Sequence, residues 1–169
     1  MLDGRSSDDR RPLVVVMGVE GAGKTTVGRR LADELGVEFI DGDDEHSAVA
    51  KERMAAGIPL DDAIRAPWLD RLDAILRQHE SSGLVLACSA LTPAYRQRLS
   101  RGVADVAFVA LVAPRDVLVE RIAHRRGHFA GTDLLDSQLA TLELGDDVKT
   151  VDTTGSLEEV VAAARRAVA

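Results

Sequence analysis

Five short apolar runs punctuate this chain, and segments with a helical spacing of apolar positions separate them. Leu13-Val-Val-Val-Met-Gly18 is apolar on both faces and ends in glycine, the pattern of a strand buried on both sides. Lys24 to Leu35 carries Val27, Leu31, Ala32 and Leu35 on one stripe and stops at Gly36, which predicts a helix. Val37 to Ile40 predicts a second strand, and Asp43 to Gly57 a helix broken at Gly57-Ile-Pro-Leu60. Asp61 to His79 predicts another helix, bent where Pro67 removes a backbone donor. Leu84 to Cys88, Asp105 to Val112 and Asp147 to Val151 are the remaining expected strands. Further helices are expected over Pro93–Arg101, from Pro114 to about Arg125, over Asp133–Glu143, and after Ser156, where Ser156-Leu-Glu-Glu159 has capping-box spacing.

Strands that alternate with helices imply right-handed crossovers and a parallel sheet covered by helices on both faces. The expected fold class is therefore three-layer α/β, as one domain over residues 1–169 with no internal repeat or linker. Residues 1–11 are polar and of mixed charge, without a signal-peptide apolar region, and are expected to form a flexible tail.

Composition narrows the function classes. A 46% hydrophobic and 29% charged balance over 169 residues excludes a disordered tail or a coiled-coil rod. The longest apolar run, Val106 to Ala113, is too short to cross a bilayer, so no membrane partner is expected. Asp and Glu number 28 against 21 Lys and Arg, a net charge of −7, which argues against nucleic acid as a partner. The single cysteine, Cys88, allows no internal disulfide and fits a reducing cytoplasm.

Gly18-Val-Glu-Gly-Ala-Gly-Lys24-Thr25 has the G-x-x-x-x-G-K-[ST] spacing of a phosphate-binding loop, placed where it should be, after a buried strand and at the start of a helix. Glycines let the backbone curl so that the amides of Gly21, Ala22 and Gly23 point at phosphate oxygens, and the helix N-terminus adds positive potential. Lys24 can bridge the outer phosphates, the Thr25 hydroxyl suits a magnesium ligand, and Thr26 can bond a further phosphate. No G-x-G-x-x-G fingerprint and no Asn-Lys-x-Asp guanine motif compete with this reading.

Phosphoryl transfer also needs an oriented acceptor and positive charge along the transfer path. Asp41-Gly-Asp43 follows the second strand, so both carboxylates are expected at the carboxyl edge of the sheet. There one can hold magnesium and the other can take a proton from an alcohol. Arg121, Arg125 and Arg126 precede Gly127-His-Phe129, and arginines beside a glycine-bearing loop can close over a nucleotide as a lid. His124 and His128 are four apart, but Gly127 and the absence of a following glutamate argue against a zinc pair. Ser89 ends the third strand at the same edge, and Trp68 is read as a packing residue.

With these segments assembled, the chain resembles the small P-loop gluconokinases from about Leu13 to the C-terminal helix. The shared pieces are Met17-Gly-Val-Glu-Gly-Ala-Gly-Lys24, Phe39-Ile-Asp-Gly-Asp-Asp44 with His46, Met54 to Leu60, and Arg65-Ala-Pro-Trp68-Leu69. They continue with Cys88-Ser-Ala-Leu91, Tyr95-Arg96, Arg121 to Arg125, Gly127-His-Phe129, Ser137-Gln138-Leu139 and Thr141-Leu-Glu143. The resemblance implies a P-loop kinase fold with a five-stranded parallel sheet in the order 2-3-1-4-5 and a helical lid at about residues 124–132. It also implies a homodimer, and ATP- and Mg2+-dependent phosphorylation of the 6-hydroxyl of D-gluconate. On it, Gly21 to Thr26 hold phosphates and magnesium, Asp41 lies nearer the metal, and Asp43 orients the acceptor. His46, Arg65 and His128 contact the sugar acid, and Arg121 and Arg125 are the lid arginines. Departures fall around the acceptor: Ser47, Ala50 and Arg53 replace the usual proline, asparagine and lysine, Ala63 and Ile64 stand where aspartates are common, and Leu144-Gly145 replaces an acidic-proline ending. The alternatives are a P-loop kinase for another small hydroxylated acid, of the shikimate-kinase type, and a nucleotide-binding regulator without turnover.

Overall fold

The structure is a computed structural model that describes residues 11–126 and 132–169. Five strands form one sheet: β1 (Leu13–Met17), β2 (Glu38–Asp41), β3 (Leu84–Ala87), β4 (Ala107–Val112) and β5 (Val148–Asp152). Their spatial order is β2-β3-β1-β4-β5, and every neighbouring pair is parallel. Between them run α1 (Lys24–Leu35), α2 (Ala48–Ala55), α3 (Asp62–Gln78), α4 (Pro93–Ser100), α5 (Arg115–Arg126), α6 (Asp133–Thr141) and, after β5, α7 (Leu157–Val168).

The unbroken apolar runs have a simple cause. Side chains alternate across a strand, and both faces of this sheet are covered. Val14 and Val16 of β1 pack with α1, α5, α6 and α7 through Leu31, Leu118, Ile122, Leu135 and Val161. Leu13, Val15 and Met17 point the other way, against Trp68, Leu72 and Leu76 of α3 and Leu99 of α4. Leu72 is fully buried, so truncation to alanine should cost about 2–5 kcal/mol. No helix among the described residues is long and apolar enough to cross a membrane.

One departure from the sequence expectations bears on the site. Gly42–Glu45 is a 3₁₀ turn separate from α2, so the expected helix from Asp43 to Gly57 is two pieces. The Asp41 carboxylate accepts from the Asp43 amide at 3.0 Å and so starts the turn, while His46 and Ser47 are extended. Ser47 then caps α2 by accepting from the Ala50 amide. Short polar side chains that bond nearby amides compete with a continuous helix. Pro67, in contrast, lies inside α3, which remains one helix from Asp62 to Gln78.

The chain leaves β1 toward β2 and β3 on one side and returns to β4 and β5 on the other. The strand order therefore reverses beside β1, and the crevice outside that point is where open α/β sheets take ligands.

Candidate active site

The loop after β1 wraps into α1 through glycines that carry the backbone geometry: Gly21 has φ 83° and Gly23 φ 92°. A Cβ on Gly21 would lie 3.0 Å from the Leu118 carbonyl and 3.1 Å from Ile122, so α5 also requires glycine there. Gly23 stands at the N-cap of α1 with no side-chain hydrogen bond, and this leaves the first amides of the helix facing the cleft. Lys24 Nζ donates to the carbonyls of Gly18 at 2.9 Å and Val19 at 3.0 Å. Enclosure lowers its pKa, and the negative charges of Asp43 and Asp41 oppose that shift. The Gln138 side chain of α6 reaches back to the loop, accepting from the Glu20 amide at 2.6 Å.

The parallel register aligns Asp41 of β2 with Ala87 of β3, so both acidic residues after β2 reach the carboxyl edge beside the phosphate-binding loop. Asp41 Oδ2 accepts from the Thr25 hydroxyl at 2.9 Å, and its other oxygen starts the turn that carries Asp43. Two oxygen donors of the kind a magnesium ion prefers thus lie side by side. The Asp43 carboxyl is raised above the ordinary carboxylate range. Desolvation by the cleft walls is the main cause, opposed by Lys24 and reinforced by Asp41 and Asp44. His46 is buried, stacks on Trp68 with ring centroids 4.1 Å apart, and places Nε2 3.9 Å from Asp43. Burial and nearby arginines lower its pKa to about 4, so it is neutral near pH 7. Trp68 holds the turn from below, donating to the Gly42 carbonyl at 2.7 Å.

On the opposite wall, Arg65 of α3 donates to the Tyr95 hydroxyl at 2.6 Å, and Tyr95 in turn donates to Asp62 at 3.0 Å. Arg121 of α5 donates to the Thr153 hydroxyl at 2.8 Å and carbonyl at 2.6 Å, just after β5. Arg125 is exposed at the cleft rim. The phosphate-binding loop, Asp41, Asp43, His46, Arg65, Arg121 and Arg125 line one cleft of about 1230 Å³.

A family model described as an AAA domain matches residues 13–144. The gluconokinase of Gluconobacter oxydans is 43% identical over 157 residues, covering 88% of this chain and 88% of its own. The thermoresistant gluconokinase of Escherichia coli is 38% identical over 156 residues, 89% of each chain. The crystal structure of a gluconokinase from Sinorhizobium meliloti superposes with a TM-score of 0.86 at 39% identity, covering 94% of this chain and 91% of that one. This chain belongs to the gluconokinase family.

In this gluconokinase-family chain the cleft brings together Gly21 to Thr26, Asp41, Asp43, His46, Arg65, Arg121 and Arg125, all read from the sequence as candidates. His128 and most of the expected lid lie outside the described residues. Three cleft residues had no assigned role. In the sequence Gln138 and Tyr95 occur only within family motifs, and Thr153 falls in no motif. No local pattern marks them, because each acquires its contact from an element distant in the chain. Arg96 is the opposite case, a fully buried arginine that serves the scaffold. It donates to Asp147 at 2.7 Å and to the carbonyls of Ala90 and Glu143 at 2.9 Å each.

Proposed function

We propose that this protein is a gluconokinase that transfers the γ-phosphoryl group of ATP to the 6-hydroxyl of D-gluconate, giving 6-phospho-D-gluconate and ADP. The observation that carries this reading is the single cleft in which the phosphate-binding loop, the Asp43 carboxylate and the Arg65 guanidinium face one space. Family membership supports the choice of acceptor.

The amides of Gly21 to Thr26 and the Lys24 ammonium take the phosphates, for which Ala22 gives up its bond to the Val19 carbonyl and Lys24 its bonds to the loop carbonyls. Asp43 orients the 6-hydroxyl and accepts its proton as the hydroxyl oxygen bonds to the γ-phosphorus and the bond to the leaving ADP oxygen breaks. Its raised pKa makes it a better base than an ordinary carboxylate. Arg121 and Arg125 offset charge on the nucleotide, with Arg125 closest to the transferred group. Thr25 and Asp41 would hold Mg2+, which when bound neutralises charge on the β- and γ-phosphates. Arg65 meets the gluconate carboxylate. Neutral His46 serves as a hydrogen-bonding partner for the hydroxyls, and His128 is assigned to the same sugar acid. We further infer that residues 1–169 act as one domain, as a cytoplasmic homodimer.

The test is ADP release with Mg-ATP against D-gluconate, other aldonates, shikimate and nucleoside monophosphates. Turnover confined to gluconate, with 6-phosphogluconate as product, is the expected result. Turnover with another acceptor would keep the kinase and overturn the substrate. ATP binding without turnover on any acceptor would overturn the enzyme reading in favour of a regulator.

A further inference from the structure

Arg65 does not stand alone at the acceptor end of the cleft. It belongs to a three-residue relay between α3 and α4. Its guanidinium carbon lies 4.5 Å from the centre of the Tyr95 ring, and Nη1 donates to the phenol oxygen at 2.6 Å. The phenol gives its one proton to Asp62 Oδ1 at 3.0 Å, and that carboxylate lies 3.6 Å from Arg65 Nη1. A phenol has a single donor and a guanidinium has five. The direction of the relay is therefore determined, and most of the Arg65 donors remain for a ligand. Arg65 is largely enclosed, with its side chain 17% exposed, whereas that of Asp62 is 88% exposed. Tyr95 is itself fixed: the Thr92 side chain accepts from its amide at 3.2 Å, and Pro93 opens the helix that carries it.

Two consequences follow. The ring and hydroxyl of Tyr95 hold the guanidinium in one orientation, so a ligand meets a preorganised fork. Asp62 brings the charge of the relay to zero before any ligand arrives. The other arginines nearby, Arg98 and Arg101, are paired with Asp70. An incoming anion is thus attracted by Arg65 and repelled by Asp62; both forces scale with the charge of the anion, so Asp62 weakens the hold on a dianion about twice as much as that on a monoanion.

We propose that Tyr95 and Asp62 form a charge filter for the acceptor: Tyr95 positions Arg65, and Asp62 makes the site favour a monoanionic carboxylate over a dianionic phosphate at the far end of the polyol. This inference rests on reading Arg65 as the carboxylate contact. Asp62 is thereby a specificity-determining residue and Tyr95 a positioning residue, neither touching the reacting atoms.

The experiment compares D-gluconate with D-glucitol 1-phosphate, an open-chain polyol of the same length that carries a phosphate where gluconate has its carboxylate. KM and kcat for gluconate, KM for ATP, and the competitive inhibition constant of the phosphate ester are measured on the full chain. Asp62→Asn keeps an acceptor for the Tyr95 proton and removes only the charge. It should tighten the phosphate ester relative to gluconate by about five-fold, with the ATP KM unmoved, and Asp62→Glu should restore the wild-type ratio. Tyr95→Phe keeps the ring and should raise the gluconate KM by about five- to ten-fold at a nearly unchanged kcat, and a melting temperature close to wild type confirms that it folds. An unchanged carboxylate-to-phosphate ratio in Asp62→Asn, or a wild-type gluconate KM in Tyr95→Phe, overturns the filter while leaving the gluconokinase reading intact. Failure of the wild type to use gluconate removes both.

Discussion

Asp43 and His46 are three residues apart and shifted in opposite senses, because the same enclosure disfavours a negative carboxylate and a positive imidazolium. Replacement of Asp43 by asparagine keeps the shape of the site and removes the proton acceptor. The expected outcome is ATP binding close to wild type with kcat reduced by about 10²- to 10⁴-fold, measured by nucleotide titration beside steady-state assays. Unchanged turnover would remove the role assigned to Asp43. His46 yields a prediction about stability. An unfolded chain protonates this histidine near 6.5, whereas the folded chain holds it neutral down to about 4. The unfolded state therefore binds more protons between those values, and stability falls as pH drops from 6.5 to 4, by up to about 3 kcal/mol from this group. Asp43, displaced upward, opposes part of that loss. Urea unfolding at pH 7 and pH 4.5 should show a smaller acid-induced loss in His46→Asn than in wild type, and an equal loss would contradict the shift. The candidacy of Asp41 and Asp43 is legible in the sequence because two aspartates close a strand. The roles of Tyr95 and Thr153 are not, since their partners lie 30 and 32 positions away.

Among the elements, the phosphate-binding loop with α1 is legible almost to the residue, because the glycine spacing and the cap at Gly36 are local signals. The segment after β2 is not, because Asp41 and Ser47 bind neighbouring amides and divide it into a turn and a helix. Arg96 shows how tertiary contacts join elements that sequence leaves separate. It links α4 to the loop after β3 and to the approach to β5, and it bonds the carbonyl of Ala90, a residue at φ 41° in the left-handed region. Truncation of Arg96 to alanine leaves the buried Ala90 carbonyl without its donor and frees the part-buried Glu143 carbonyl and the half-exposed Asp147 carboxylate to water. A destabilisation of about 1–3 kcal/mol is expected from the denaturation midpoint. A change below 1 kcal/mol would mean that the loops relax to water at little cost. Because Ser89 lines the cleft next to Ala90, turnover should fall as well in the fraction that remains folded.

For the whole molecule, the cleft is assembled from the loop after β1, α1, the end of β2, α3, α4, α5, α6 and the β5–α7 connection, so a bound nucleotide stabilises parts distant in the chain. Mg-ATP at about 100 times its dissociation constant should add about 2.7 kcal/mol, seen as a melting temperature raised by about 5–10 °C. Chelation of the metal, or Thr25→Ala, should remove a large part of that shift on the proposal that Thr25 and Asp41 hold the cation. A full shift in the presence of chelator would mean that nucleotide binding does not depend on the metal, and a full shift in Thr25→Ala would place the metal elsewhere. Local patterns in the chain determined the strands, the helices, the three-layer arrangement and the phosphate-binding loop. Apolar alternation, glycine spacing and caps act over a few residues and need no partner to be read. Only the tertiary structure decided that Asp41 engages Thr25, that His46 is held neutral against Trp68, that Arg121 is anchored on Thr153, and that Arg65 answers to Tyr95 and Asp62. Those properties depend on distance, desolvation and charge between elements, and such quantities exist only once the sheet has brought its carboxyl edge and the surrounding helices together.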